Sequence, residues 1–288
     1  MSTLLVTGAA GKLGRHVVNL LLEQGGHTVI AASRDPSKLS DLAAKGAETR
    51  RVDFDDPASL EAAFSGVDRV LIISTDALGI PGKRLTQHTN AVNAAKAAGV
   101  KEVVYTSMPN PETAAVLFAP DHLGTENAIK ASGMGYTILR NAWYAENLLH
   151  SLPPAFASGN WYTASGDGVT AYVAHDDCAQ AAAAALSKPA ANETLNITGP
   201  ELVSPDQVAA IARDVVGKPL NVVKVSDEQL AEGLKHAGFP DFLIPTFVSF
   251  DTATRKGDFN LKSDDLEKLT GRKPQTIRAF FEANKAAF

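Results

Sequence analysis

The twelve residues Thr3-Leu4-Leu5-Val6-Thr7-Gly8-Ala9-Ala10-Gly11-Lys12-Leu13-Gly14 decide the fold. Thr3 to Thr7 has the length and aliphatic, β-branched character of a buried strand, and Leu13, Val17, Leu20 and Leu21 then recur at helical spacing. Between them lies a G-x-x-G-x-x-G turn. Glycines are needed there where the turn is tight, where backbone approaches a pyrophosphate, and where helix meets strand, while the helix N-terminus supplies amides and a partial positive charge. A Walker phosphate loop is excluded, because the residue five after Gly8 is Leu13. A glycine-rich turn without a ligand is the competing reading, and the strand and helix on either side disfavour it.

The alternation continues outward from this opening. Thr28 to Ala32 is a strand ending in Ser33-Arg34, after which Asp35 caps a helix that accepts Pro36 in its first turn. Asp56-Pro57 repeats the device after a strand near Glu48 to Phe54, and Arg69 to Ser74 is a fully buried strand. Thr86 to Ala98 and Asp121 to Ala131 are helices stopped by Gly99 and Gly133; Glu102 to Thr106 and Tyr136 to Leu139 are strands. Strands alternating with helices predict an α/β fold, a doubly wound (Rossmann) parallel sheet. Further on, capping boxes at Ser204-x-x-Gln207 and Ser226-x-x-Gln229 open helices, with short strands at Leu195 to Thr198 and Asn221 to Val225. The expected organisation is a dinucleotide-binding domain over residues 1–150 and a smaller α/β substrate lobe over residues 151–288, with contributions to the sheet near residues 170–200.

Composition bounds the function. At 288 residues, 45% hydrophobic and 20% charged, the chain is neither disordered nor fibrous. Its 27 Lys and Arg against 32 Asp and Glu leave a net charge of -5, with no long basic run, so nucleic acid is not an expected partner. Apolar runs such as Ala181 to Leu186 fall far short of the roughly 18 residues a membrane span needs, and no secretory signal pattern opens the chain. A cytoplasmic protein is expected, without membrane association. The single Cys178 excludes an internal disulfide and a cysteine-based zinc cluster, and no H-E-x-x-H occurs, so no metal is expected. The expected partners are a small molecule and, for assembly, a second copy in a homodimer.

At the end of the second strand, a fold that prefers NAD places an Asp or Glu to bond the ribose 2′-hydroxyl. Here Arg34 stands instead, with Lys38 one turn into the following helix. A guanidinium matches a 2′-phosphate by bidentate, charge-assisted bonds, which selects NADPH over NADH. The alternative is a solvated Arg and Lys on a surface helix.

Thr7-Gly8-Ala9-Ala10-Gly11-Lys12-Leu13-Gly14, Tyr105-Thr106-Ser107 and Leu139-Arg140-Asn141-Ala142-Trp143-Tyr144-Ala145-Glu146-Asn147 together resemble the NmrA-like atypical short-chain dehydrogenases. Within them the resemblance is greatest to the type 2 NADPH quinone oxidoreductases and the triphenylmethane reductases. It extends to Thr163-Ala164-Ser165-Gly166-Asp167-Gly168 and to Lys256-Gly257, and departs at Ala10, where the family loop usually has Thr. The resemblance implies Gly8, Ala10, Gly11, Lys12 and Leu13 at the pyrophosphate, Arg34 at the 2′-phosphate, and Asp53 and Phe54 beside the adenine. It further implies Ser74 and Thr75 along the cofactor's middle, Thr106 and Ser107 under the nicotinamide ribose, and Asn141 and Trp143 near the nicotinamide. Simpler roles stay open: Asp53 as a turn residue, Ser74 as a loop residue, Trp143 as an anchor between lobes.

Most short-chain dehydrogenases carry Tyr-x-x-x-Lys to move a proton at a substrate hydroxyl. None of Tyr105, Tyr136, Tyr144, Tyr162 or Tyr172 has a lysine four residues on. The corresponding helix carries His122-x-x-x-Glu126, readable as a solvated helix pair or as a histidine that assists proton transfer. His175-Asp176-Asp177 reads better as a helix cap at Asp176 or Asp177 than as a catalytic dyad. Phe239, Phe242, Phe247 and Phe250 are either pocket wall or lobe core. The enzyme reading is an NADPH-dependent reductase passing hydride directly to quinones or similar conjugated electrophiles, with Asn141, Trp143 and His122 as catalytic candidates. The competing reading is an NmrA-type redox-sensing regulator that binds the dinucleotide without catalysis.

Overall fold

Leu4, Leu5 and Val6 have no exposed surface. Their side chains alternate between two cores, Leu4 and Val6 on one face and Leu5 on the other, so the strand is covered on both sides. The computed structural model describes all 288 residues. The first five βα repeats are β1 (Thr3–Val6), α1 (Lys12–Gln24), β2 (Thr28–Ser33), α2 (Ser40–Ala44), β3 (Glu48–Arg51), α3 (Pro57–Phe64), β4 (Arg69–Ile72), α4 (Lys83–Ala97), β5 (Glu102–Ser107) and α5 (Ala119–Ser132). There follow β6 (Gly135–Asn141), α6 (Leu148–Ser158), β7 (Asn160–Thr163), α7 (His175–Ser187) and β8 (Glu193–Ile197). The chain ends in α8 (Pro205–Val216), β9 (Asn221–Lys224), α9 (Asp227–His236), α10 (Ile244–Lys256), α11 (Asp265–Thr270) and α12 (Ile277–Ala283).

Seven parallel strands form one sheet in the order β3-β2-β1-β4-β5-β6-β8. The direction of winding reverses between β1 and β4, which places the ligand crevice of an open α/β sheet at the C-terminal ends of those strands. One face is covered by α1 and the alanine-rich α7, whose small side chains let it lie close to the sheet; α3, α4 and α5 cover the other. β8 pairs with β6 and so joins this main sheet, while β7 and β9 form a separate parallel pair. The lobe core draws on α6, α8 and α12. A small cluster of Met108, Val116, Ala119, Ala253 and Phe259 joins the lobe to the sheet, and the Asp258 carboxylate, accepting from the Ala115 amide at 2.7 Å, pins the same junction.

Local chemistry sets the boundaries. Asp56 caps α3 as expected, accepting from the Ser59 amide; Asp35 accepts from the Ser37 amide but caps only a 3-10 turn over Pro36–Leu39 ahead of α2, and both capping boxes close. The strand expected near Glu48 to Phe54 stops at Arg51, because Asp53 turns the chain by accepting from the Asp55 amide. The strand after α3 stops at Ile72, where Ser74 instead donates its amide to the Thr106 hydroxyl. The expected cap at Asp176 or Asp177 is not formed: α7 begins at His175 with Ala174 before it and no side-chain cap. Asp177 is buried and accepts from the Gln275 amide at 2.8 Å, while Asp176 faces His16 at 3.2 Å. Both acids lie in the first turn, where the helix dipole favours them.

Candidate active site

The glycine loop is shaped by close approach. Gly8 has φ of 63°, a left-handed conformation suited to glycine, and a β-carbon on Gly14 would lie 2.5 Å from the Gly8 carbonyl oxygen. Gly11 donates its amide to that same oxygen at 2.9 Å, whereas the amides of Ala10, Lys12, Leu13 and Gly14 find no acceptor in the protein. Gly8, Ala10, Gly11 and Lys12 are exposed, and Leu13 packs on the core. Unpaired amides at the start of a 13-residue helix, beside a crossing that leaves no room for a side chain at Gly14, fit a dinucleotide pyrophosphate.

Arg34 lies exposed just beyond β2 without an ion pair or hydrogen bond, while Asp55 feels its charge from nearby. Lys38 is also exposed, and its carbonyl accepts from Arg15 Nη2 at 2.8 Å. Asp53 is a turn residue whose carboxylate also stands 3.5 Å from Arg51. Phe54 is buried and its carbonyl accepts from Asn90. These residues crowd the ends of β2 and β3.

The ends of β4, β5 and β6 are tied more tightly. Ser74 accepts from Thr106 Oγ1 at 3.3 Å; Thr75 donates its amide to His88 Nε2 at 2.9 Å and its hydroxyl to Gln87 at 2.8 Å. Ser107 donates to Glu126 Oε1 at 2.7 Å, and Arg140 holds both oxygens of that carboxylate. His122 and Glu126 are therefore not a solvated pair: both are buried, and each bonds to other residues. Arg84 can only donate, so His122 Nε2 accepts from its Nη2 at 3.0 Å and the ring proton sits on Nδ1, directed to the Tyr105 hydroxyl at 2.9 Å. By the same reasoning His88 carries its proton on Nδ1, donating to Thr125 Oγ1 at 2.9 Å. Burial, then the Arg84 charge, lowers both histidines, His88 to about 3. The proton-transfer role expected of His122 thus meets a neutral imidazole engaged at both nitrogens. Burial also raises the Tyr105 and Tyr144 hydroxyls above the ordinary tyrosine range.

Asn141, the last residue of β6, donates Nδ2 to the Tyr144 hydroxyl at 3.2 Å, and its buried Oδ1 has no partner. Trp143 lies in an aromatic run from both halves of the chain, 4.2 Å between ring centroids to Phe250 and 6.0 Å to Phe259. Phe250 continues to Phe118 at 5.7 Å and to Phe247 at 5.8 Å, and Phe247 to the partly exposed Phe239 at 5.0 Å. Glu146 accepts from the His175 amide at 2.9 Å, while burial lowers the His175 imidazole. Periodicity misses Arg84 and Glu126, because a charged residue on a helix ordinarily reads as a solvated one.

The sequence pattern of the NmrA-like family matches residues 1–281. Quinone oxidoreductase 2 of Escherichia coli (strain K12) is 36% identical over 274 residues, covering 94% of this chain and 95% of that protein. NAD(P)H azoreductase of Xenophilus azovorans is 28% identical over 287 residues, covering 99% of each. Among solved structures, the E. coli NADPH-dependent quinone oxidoreductase complexed with NADPH superposes with a TM-score of 0.92 at 35% identity, over 97% of this chain and 99% of that one. Citrobacter sp. triphenylmethane reductase complexed with NADP(H) gives 0.91 at 34% identity, over 99% and 100%.

Proposed function

The chain belongs to the NmrA-like family, and on that premise we propose that it is an NADPH-dependent reductase of quinones and similar conjugated electrophiles. The observation that carries this reading is the Gly8–Gly14 crossing with its unpaired amides, placed at the switch point of the sheet. In this reading Gly8, Ala10, Gly11, Lys12 and Leu13 hold the pyrophosphate, Arg34 and Lys38 the 2′-phosphate, and Asp53 and Phe54 flank the adenine. Ser74, Thr75, Thr106 and Ser107 support the middle of the cofactor, and the free Oδ1 of Asn141 accepts from the carboxamide of the nicotinamide. Bound there, NADPH supplies a hydride.

The chain's own part is placement and exclusion of water. Glu126 fixes Ser107 by accepting a hydrogen bond from its hydroxyl, and Arg140 fixes Glu126. Trp143, Phe250 and Phe118 offer flat apolar faces to a conjugated ring. Neither Tyr105 nor His122 is free to move a proton, which suits a product whose charge is delocalised. No helix is long and apolar enough to cross a membrane. Purified protein mixed with NADPH and 1,4-benzoquinone should bleach the reduced-nicotinamide absorbance catalytically. Tight NADPH binding without turnover on any quinone would instead favour the non-catalytic regulator.

A further inference from the structure

Arg84 is a buried cation without a counter-ion. It is only 5% exposed, yet no carboxylate lies within ion-pair distance of it. Its Nε donates to the Thr75 carbonyl at 2.7 Å and its Nη2 to His122 Nε2 at 3.0 Å, while Nη1 has no partner. The guanidinium lies over the Phe118 ring, 4.8 Å from its centroid, at the start of the run that passes through Phe250 to Trp143. Burying a charge is costly unless it is paired, and a guanidinium with unmet donors is short of an acceptor. His122, held neutral, fixes the angle of the guanidinium without cancelling its charge.

The guanidinium is held by the Thr75 carbonyl and lies over Phe118, a residue the proposed reductase offers to the substrate ring. We propose that Arg84 Nη1 donates to the quinone oxygen on which negative charge gathers, making Arg84 a catalytic residue and the site one for flat aromatic oxyanions. The hydride would leave the C4–H bond of bound NADPH, giving NADP+, and form an O–H bond at one quinone oxygen, while the ring π electrons shift and the other carbonyl's π pair moves onto its oxygen; the hydroquinone monoanion so formed faces the guanidinium there, and a proton from water completes the hydroquinone. A fixed donor aimed where charge develops acts without any proton passing through it. This inference rests on the reductase reading of the same cleft, so the test separates the two.

The probe is 4-nitrophenolate, with neutral 4-nitroanisole as its counterpart, titrated into the full chain and followed by Trp fluorescence and the nitrophenolate absorption band. The wild-type chain should bind the phenolate about tenfold more tightly than the anisole, a difference of about 1.4 kcal/mol. Arg84→Gln should lose that preference and the band shift. With NADPH and benzoquinone its kcat should fall on the order of 100-fold, the size seen when a fixed oxyanion donor is removed. Its affinity for NADPH should stay within about twofold, and Arg84→Lys should recover part of the phenolate preference. Equal binding of phenolate and anisole by the wild-type chain overturns the proposal even if both variants fail to fold. So does a folded Arg84→Gln variant with undiminished kcat, or one that loses NADPH affinity while keeping the phenolate preference, since the cation then serves the cofactor. A wild-type chain that prefers the phenolate but reduces no quinone sinks the reductase reading and leaves the anion site standing.

Discussion

Arg140 grips the wholly buried carboxylate of Glu126 at both oxygens, Nε to Oε1 at 2.9 Å and Nη2 to Oε2 at 2.7 Å. The pair ties β6 to α5, and through Ser107 it ties in β5 as well. Removing Arg140 leaves the buried carboxylate with Ser107 and the half-exposed Lys130 only, whereas removing Glu126 leaves Arg140 paired with Glu112. Arg140→Met should therefore destabilise the fold by about 3–5 kcal/mol and Glu126→Ala by less, while Glu126→Leu combined with Arg140→Met should cost less than Arg140→Met alone. Urea unfolding checks this; single variants within experimental scatter of the wild type would remove the pair from the account of stability.

The crossing of Gly8 and Gly14 makes a second prediction. A β-carbon at Gly14 meets the Gly8 carbonyl at 2.5 Å, whereas one at Gly11 meets it at 3.3 Å. Gly14→Ala should both lower stability and abolish dinucleotide binding, since backbone must shift. Gly11→Val should leave circular dichroism unchanged yet lose NADPH binding, because its side chain takes the space intended for phosphate. Normal NADPH titration of a folded Gly11→Val variant would place the pyrophosphate elsewhere.

Cofactor choice is assigned to Arg34, which the protein itself leaves unpaired. NADPH should bind at least about tenfold more tightly than NADH, equivalent to about 1.4 kcal/mol, and Arg34→Glu should erase or invert the ratio. Equal affinities of the wild-type chain, measured by quenching of tryptophan fluorescence, would end this assignment.

Two neutral histidines in the interior make stability depend on pH. Burial, then Arg84, lowers His88 from its ordinary 6.5 to about 3, and His122 is lowered in the same way. Between these limits the unfolded chain binds protons that the folded chain does not. Their contribution is thus complete above pH 6.5 and is lost progressively as pH falls below it, at no more than about 1.4 kcal/mol per pH unit for each ring. His88→Gln should flatten the fall between pH 6.5 and 5 in urea titrations. An equally steep fall in the variant would assign the acid sensitivity to other groups.

The absence of a free proton donor predicts the pattern of mutant kinetics. Tyr105→Phe, Tyr144→Phe and His122→Ala should each lower turnover by less than the roughly 10²- to 10⁴-fold typical of a lost catalytic acid. Asn141→Ala and Trp143→Ala should do more harm, through misplacement of the reacting rings. A simple aliphatic ketone, whose alkoxide needs a proton, should be a poor substrate beside benzoquinone. Efficient ketone reduction, or an indispensable tyrosine in a chain that still binds NADPH, would point to acid-assisted chemistry.

What could be read in advance was local. The loop from Gly8 to Gly14 announces itself because glycines at that spacing between strand and helix have one geometric use, and Ser204 with Gln207 closes a box within four residues. Partners distant in the chain were not legible. Glu126 finds Arg140 only after β6 is laid beside β5, and before that an acid four residues from a histidine looks like a solvated helix face. Asp177 misled for the same reason: its acceptor role toward Gln275 spans nearly a hundred residues, and a cap is the nearer explanation. Arg84 carried no signal, since only tertiary packing shows a guanidinium to be buried.

The aromatic run has a consequence for how such a chain changes over time. The residues proposed for the cofactor come from the stretch between Gly8 and Asn141, whereas Phe239, Phe247, Phe250 and Phe259 lie in the last third of the sequence and meet the first half of the chain at Phe118 and Trp143. Substitutions at sites without shared partners add nearly independently. Volume can be traded among those four phenylalanines, admitting broader or narrower rings, while the nucleotide half stays as it is. Divergence in acceptor with retention of coenzyme is the evolutionary course this architecture makes easiest.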